Sequence, residues 1–260
     1  MPAPWTHALA DTVVSDPALP PSYDERLGSL PGAALVADTD LPRLALPQEG
    51  RLAVAVAVTG GAGQLAGPAG WCARRPQVRL TRLAVTLRDL DDLAGNARRV
   101  VAAVDAARGE GALADDVVVQ VGVPAGDLGP TGPTAAWLAA LDELAAAELG
   151  LLLPAATEPG LLAALVDAAL DRETPWHAGG STAAPVPAPG PLALLAATRL
   201  AFDGASRGEV VEALTTADAA ALLGLDGLAG ARRWLTGADL ASPAEVEALG
   251  AALRDLGVAL

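Results

Sequence analysis

The stretch from Leu80 to Pro124, LTRLAVTLRDLDDLAGNARRVVAAVDAARGEGALADDVVVQVGVP, decides the fold. It opens on an apolar run, Leu80 to Leu87, closed by Arg88-Asp89. From Leu90 the apolar residues recur as Leu93, Ala97, Val100, Val101 and Val104, which is one face of a helix. Asp91 and Asp92 sit in its first turn and Arg98, Arg99 and Arg108 follow, in the order the helix dipole favours. A second apolar run, Val117 to Val123, then ends in Pro124. A strand, a crossover helix and a second strand make one βαβ unit, which implies a parallel sheet.

The same alternation extends in both directions. Upstream lie Ala33 to Val36, closed by Asp38, and Leu52 to Val58, which ends in Thr59-Gly60-Gly61. Downstream lie Leu149 to Leu153 and the weaker run Thr174 to His177. Short runs with so few charges suit strands buried on both faces. A seventh strand is expected within Arg233 to Leu240. Helices are expected after Pro133-Thr134, near Thr157, at Ser206 with its capping-box partner Glu209, and at Ser242-Pro243-Ala244-Glu245. Asp89 is read as the cap of the helix that starts at Leu90. Pro191 to Leu225 reads as helical throughout, where an eightfold barrel needs another strand. The expected fold is an α/β TIM-like barrel, complete or short of eight strands, with an open doubly wound parallel sheet as the alternative. Residues 1–30 are expected as a Pro-rich irregular arm with a short helix near Trp5 to Val14, and residues 31–260 as one barrel domain.

Composition removes several function classes. The 260 residues carry a net charge of −14, which repels a phosphate backbone and an anionic membrane surface. Nucleic acid and membrane are therefore not expected partners. Leu52 to Ala73 has no charged residue, but its glycines and Pro68 suit a strand and a loop better than a spanning helix. The first twenty residues show no basic start and no apolar run, so no signal peptide is expected. A single cysteine, Cys72, allows no internal disulfide and fits a reducing cytoplasm. There is no lysine, so Schiff-base chemistry, a P-loop lysine and a Tyr–Lys pair are all excluded. The two histidines, His7 and His177, have no ligand partner at helical or loop spacing, and no metal site is expected.

Thr59-Gly60-Gly61-Ala62-Gly63-Gln64-Leu65-Ala66-Gly67 follows a strand, so its amides invite a phosphate. It is similar to the glycine-rich loop of short-chain dehydrogenases, but its last glycine falls one residue late. With Tyr23 the only tyrosine and no lysine, no nicotinamide or other cofactor is expected. In a barrel the chemistry sits at the C-terminal ends of the strands. Those positions hold Asp38, Thr59, Arg88 or Asp89, Gln120, His177 and Asp239. Asp38 and His177 are the candidate catalytic residues, as general bases. Arg88, Gln120 and Thr59 are the candidate ligand-binding residues, with Arg88 as an anion clamp for a small anionic ligand. The structural alternatives are a helix cap for Asp38 and a half-buried, carbonyl-bound ring for His177. The low-complexity segment Thr182 to Pro191, with four prolines, is expected as a stiff cover across that end.

From about Tyr23 onward the layout resembles a group of uncharacterised actinobacterial TIM-barrel-like proteins. The segments that carry the resemblance are Leu83 to Leu87, Val117 to Pro124, Glu173 to Gly180, Gly190 to Gly204 and Ala231 to Leu256. In that group the fifth and sixth strands end in Lys, Arg, Thr and paired His. Here the matching positions read Leu151-Leu152-Leu153-Pro154-Ala155-Ala156 and Trp176-His177-Ala178-Gly179-Gly180. His177 is the main polar survivor, so the resemblance implies a degenerate paralogue. Two function classes follow. The first is a non-catalytic barrel acting with a protein partner or as a homo-oligomeric assembly component. The second is a small-molecule enzyme or binder with a metal-free acid/base site at the strand C-terminal ends.

Overall fold

A computed structural model describes residues 10–13, 31–124, 128–129, 132–180 and 190–258. Its centre is a closed barrel of eight parallel strands in sequential order. The strands are β1 (Ala10–Val13), β2 (Pro31–Ala37), β3 (Leu52–Val58), β4 (Val78–Thr86), β5 (Val118–Gly122), β6 (Gly150–Pro154), β7 (Trp176–Gly179) and β8 (Leu235–Leu240). The helices are α1 (Ala66–Ala73), α2 (Leu93–Gly109), α3 (Ala135–Ala146), α4 (Pro159–Leu170), α5 (Pro191–Phe202), α6 (Arg207–Thr215), α7 (Ala219–Leu223) and α8 (Pro243–Asp255). The fold is an α/β TIM-like barrel, and β3, β4 and β5 are adjacent and parallel, as the apolar runs require.

Two expectations are corrected. Ala10–Val13 is not helical: it is a strand that pairs with both β8 and β2 and closes the barrel. Its four residues carry too little pattern to separate strand from helix, and only the two waiting edges select the extended form. The strand missing from Pro191 to Leu225 is therefore supplied from the other end of the chain, and that stretch holds α5, α6 and α7. The cap of α2 is Asp92, whose carboxylate accepts from the Gly95 amide at 2.8 Å, and not Asp89, which pairs with Arg99 at 2.8 Å. Leu90 is 52% exposed, so the helix starts only where its buried face begins, at Leu93. The capping box at Ser206 and Glu209 forms with both reciprocal bonds. The segment Thr182 to Ala188, with the proline at 189 that follows, lies outside the described residues.

The main core lies between the strands and the helices. Val54, Val56, Val58, Leu83, Val85, Val119, Val121, Leu151 and Leu153 are buried there with Trp137 and Leu141 of α3 and Leu165 of α4. Alternation sends the intervening residues to the barrel lumen. On β3 these are Ala53, Ala55 and Ala57, so this part of the lumen wall is unusually thin. Most such barrels fill the lumen with branched aliphatic side chains. Here the small residues leave room for a few long polar ones.

Candidate functional site

The lumen holds a connected polar network. Arg82 projects from β4 and Asp239 from β8, four strands apart on an eight-strand ring, so their ion pair spans the barrel. Arg82 Nη2 donates to Asp239 Oδ1 at 2.6 Å, and Nη1 donates to Gln120 Oε1 at 3.0 Å. Gln120 Nε2 then donates to Thr236 Oγ1 at 3.0 Å, and that hydroxyl donates to the Trp176 carbonyl at 3.0 Å. His177 Nε2 lies 3.0 Å from Asp239 Oδ1, while its Nδ1 faces Thr236 Oγ1 at 3.4 Å. Arg82, Gln120, His177 and Asp239 are all buried.

Local irregularities aim these side chains. Thr236 and Asp239 are three residues apart, which on a regular strand sets them on opposite faces. A bulge between Leu235 and Gly237 resets the alternation, so both reach the network. A second bulge on β4, opposite Val54 and Ala55, inserts Thr81 just before Arg82. Gly150 makes room on β6: a Cβ there would stand 3.2 Å from Gln120 Cγ. Burial pushes the Asp239 carboxyl up. The hydrogen bond and charge of His177, with those of Arg82, outweigh this and hold it below the ordinary carboxylate value. An ionised Asp239 makes His177 Nε2 a donor, so the ring is held by structure on that side.

A second cluster forms at the C-terminal ends of β2, β3 and β4. Asp38 Oδ1 accepts from the Thr59 hydroxyl at 2.7 Å and from the Thr39 amide at 2.9 Å. Arg88 Nη2 donates to the Thr59 carbonyl, and the Arg88 amide donates to Asn96 Oδ1 at 3.1 Å. Asp38 Oδ2 has no partner among the described residues. A cleft of about 460 Å³ opens beside it, lined also by Thr39, Leu41, Gln64, Pro68 and Trp71. The glycine-rich loop shapes this cleft. The Gln64 amide folds over Gly60, 1.7 Å from where a Cβ would stand, so a side chain at that position would displace it. Gly61 takes a φ of 79°, which glycine adopts without strain.

The sequence-derived candidates thus fall into two groups. Asp38, Thr59 and Arg88 share the rim cluster, while Gln120 and His177 lie in the lumen with Asp239, and Gln120 sits at the middle of β5 and not at the C-terminal end expected of it. Four contributing residues were not singled out from sequence: Arg82, Thr236, Gln64 and Trp71. Arg82 had a readable signal, a charge inside an otherwise apolar strand. Cys72 is buried and its thiol is pushed up to about 11 by that burial, against the pull of Arg75, so it stays a neutral thiol at neutral pH. Among the described residues, no cluster of three or more His, Cys, Asp or Glu could hold a metal ion. Nor is any helix among them long and apolar enough to cross a membrane. No family model matches this chain, and no curated protein or solved structure is significantly similar to it.

Proposed function

We propose that this chain is a non-catalytic barrel that binds a small polar molecule in the cleft between Asp38 and Trp71. One observation supports the reading: the general-base candidates are separated in use. His177 is spent inside the lumen on Asp239 and Thr236, whereas Asp38 keeps one carboxylate oxygen without a partner among the described residues, beside a cleft of ligand size. A fitting ligand carries a hydroxyl or ammonium donor for Asp38 and an apolar face for Trp71. Gln64 offers a further amide. The lone, neutral thiol suits a reducing cytoplasm, and that location is part of the proposal.

A thermal-shift panel of monosaccharides and amino alcohols tests it. A ligand at about 100 times its Kd adds about 2.7 kcal/mol to stability. At least one compound should raise the wild-type Tm, and the shift should vanish in Asp38→Asn and Trp71→Leu. A shift retained in both variants, or a flat panel, sinks the reading. A flat panel with concentration-dependent sedimentation would point instead to the assembly role.

A further inference from the structure

The barrel's opposite end carries a second pocket, of about 270 Å³, at the N-terminal ends of β3, β4 and β5. Its wall includes three arginines, Arg51, Arg75 and Arg79, and a single carboxylate, Asp116. That balance is unusual for a chain with a net charge of −14. Several arginines elsewhere do pair with acids, as in Arg43–Asp40, Arg98–Glu143 and Arg172–Asp142. None of the three pocket arginines pairs with a carboxylate among the described residues.

Two of them are held in place by neutral groups. Arg51 Nη2 donates to the Val78 carbonyl at 3.0 Å. Arg75 Nη1 donates to the Trp71 carbonyl at 2.9 Å, and its guanidinium lies 3.6 Å from the centre of the Trp71 ring. These contacts orient the side chains but leave their charge uncompensated, and each guanidinium keeps further N–H donors. Capping of the α1 C-terminus accounts for Arg75 alone. Arg79 is set on this wall by its place in β4, in register with Ala53, and its side chain has no hydrogen bond or ion pair among the described residues. Three like charges on one pocket wall repel one another, and a bound anion would relieve that repulsion.

We infer that this pocket is a binding site for a small dianionic oxyanion, either a phosphate ester or a dicarboxylate. Three arginines against Asp116 leave two positive charges, which matches the charge of about −1.5 to −2 on a phosphate monoester at neutral pH. Guanidinium groups suit such oxygens because they donate two parallel bonds at once. The floor is apolar, with Cys72, Val78 and Leu80, so an organic group attached to the anion is accommodated. The site is separate from the Asp38 cleft, although Trp71 borders that cleft and carries Arg75 on its ring.

Calorimetric titration at low ionic strength tests the assignment, with inorganic phosphate, phenyl phosphate and succinate as probes. Saturable one-to-one binding is expected, with phenyl phosphate tighter than inorganic phosphate. Tryptophan fluorescence should change on binding through the Arg75–Trp71 stack. Arg79→Gln and Arg51→Gln should each weaken binding about tenfold. Arg79 is exposed, so its replacement should leave the melting curve unchanged. Arg98→Gln, which removes a charge elsewhere on the surface, should leave the affinity unchanged. Preference for succinate would name the dicarboxylate as the source, and preference for phenyl phosphate the ester. The inference is overturned by absence of saturable binding for all three probes. It is equally overturned by binding that survives Arg79→Gln and Arg51→Gln, or that Arg98→Gln weakens as much.

Discussion

Asp239 is the residue on which the lumen depends, because one of its oxygens accepts from both Arg82 and His177. A buried ion pair adds little net stability over an apolar pair, but removing one partner strands the other. Asp239→Asn should therefore cost about 3–5 kcal/mol, measured by denaturant unfolding. The pH dependence has a fixed sign. The native pKa of Asp239 is lowered, so its contribution is complete above the unfolded-state value of about 3.9. It is lost as pH falls from there through the lower native value. The stability gap between wild type and Asp239→Asn should be constant at neutral pH and close only in strong acid. A gap that is already small at pH 7 would show that the network is not held by this carboxylate. Residue identities such as Asp38, Gln120 and His177 were visible as polar breaks in or after apolar runs. Which residues pair was not, since Arg82 and Asp239, for example, are 157 positions apart and meet only across the lumen.

At the scale of elements, the helix ends were legible where capping chemistry is local. Ser206 with Glu209 and Thr134 before Trp137 both cap as their side chains dictate. The C-terminal ends hold a less obvious feature. After α3 the chain turns through Glu148 at a φ of 55°, and after α4 through Glu173 at 51°. Glycine normally occupies such left-handed positions, because a Cβ there costs about 1–2 kcal/mol. Glu148→Gly should raise stability by about 0.5–1 kcal/mol, once the entropy of the added glycine is subtracted. Chemical denaturation with an unchanged m-value is the check, and a loss of stability would mean that the Glu148 side chain makes a contribution the strain argument omits. The two bulges, on β4 and β8, are the opposite case: no local residue signals them, and they are needed only because inward polar side chains must meet.

For the whole molecule, closure rests on β1, which bonds to β2 on one side and β8 on the other. Removing residues 1–30 would leave two unpaired strand edges, the usual template for association with another chain. The truncated protein should melt earlier, by about 2–4 °C for each kcal/mol of lost pairing, and should self-associate in sedimentation. A monomer with an unchanged Tm would mean that seven strands suffice.

The sequence by itself determined the αβ alternation, the parallel order of the central strands and the exclusion of lysine-dependent chemistry. These follow from period, run length and composition, which act over a few residues or not at all through space. Only the tertiary structure decided that Ala10–Val13 is a strand, because its conformation is chosen by edges contributed from Pro31–Ala37 and Leu235–Leu240. It also decided that His177 joins Asp239 rather than Asp38, and that Arg51, Arg75 and Arg79 share one wall. Side chains on different strands have no sequence relation that encodes their distance. The closed barrel sets that distance, through strand order, register and the small residues that leave its lumen open to long polar ones.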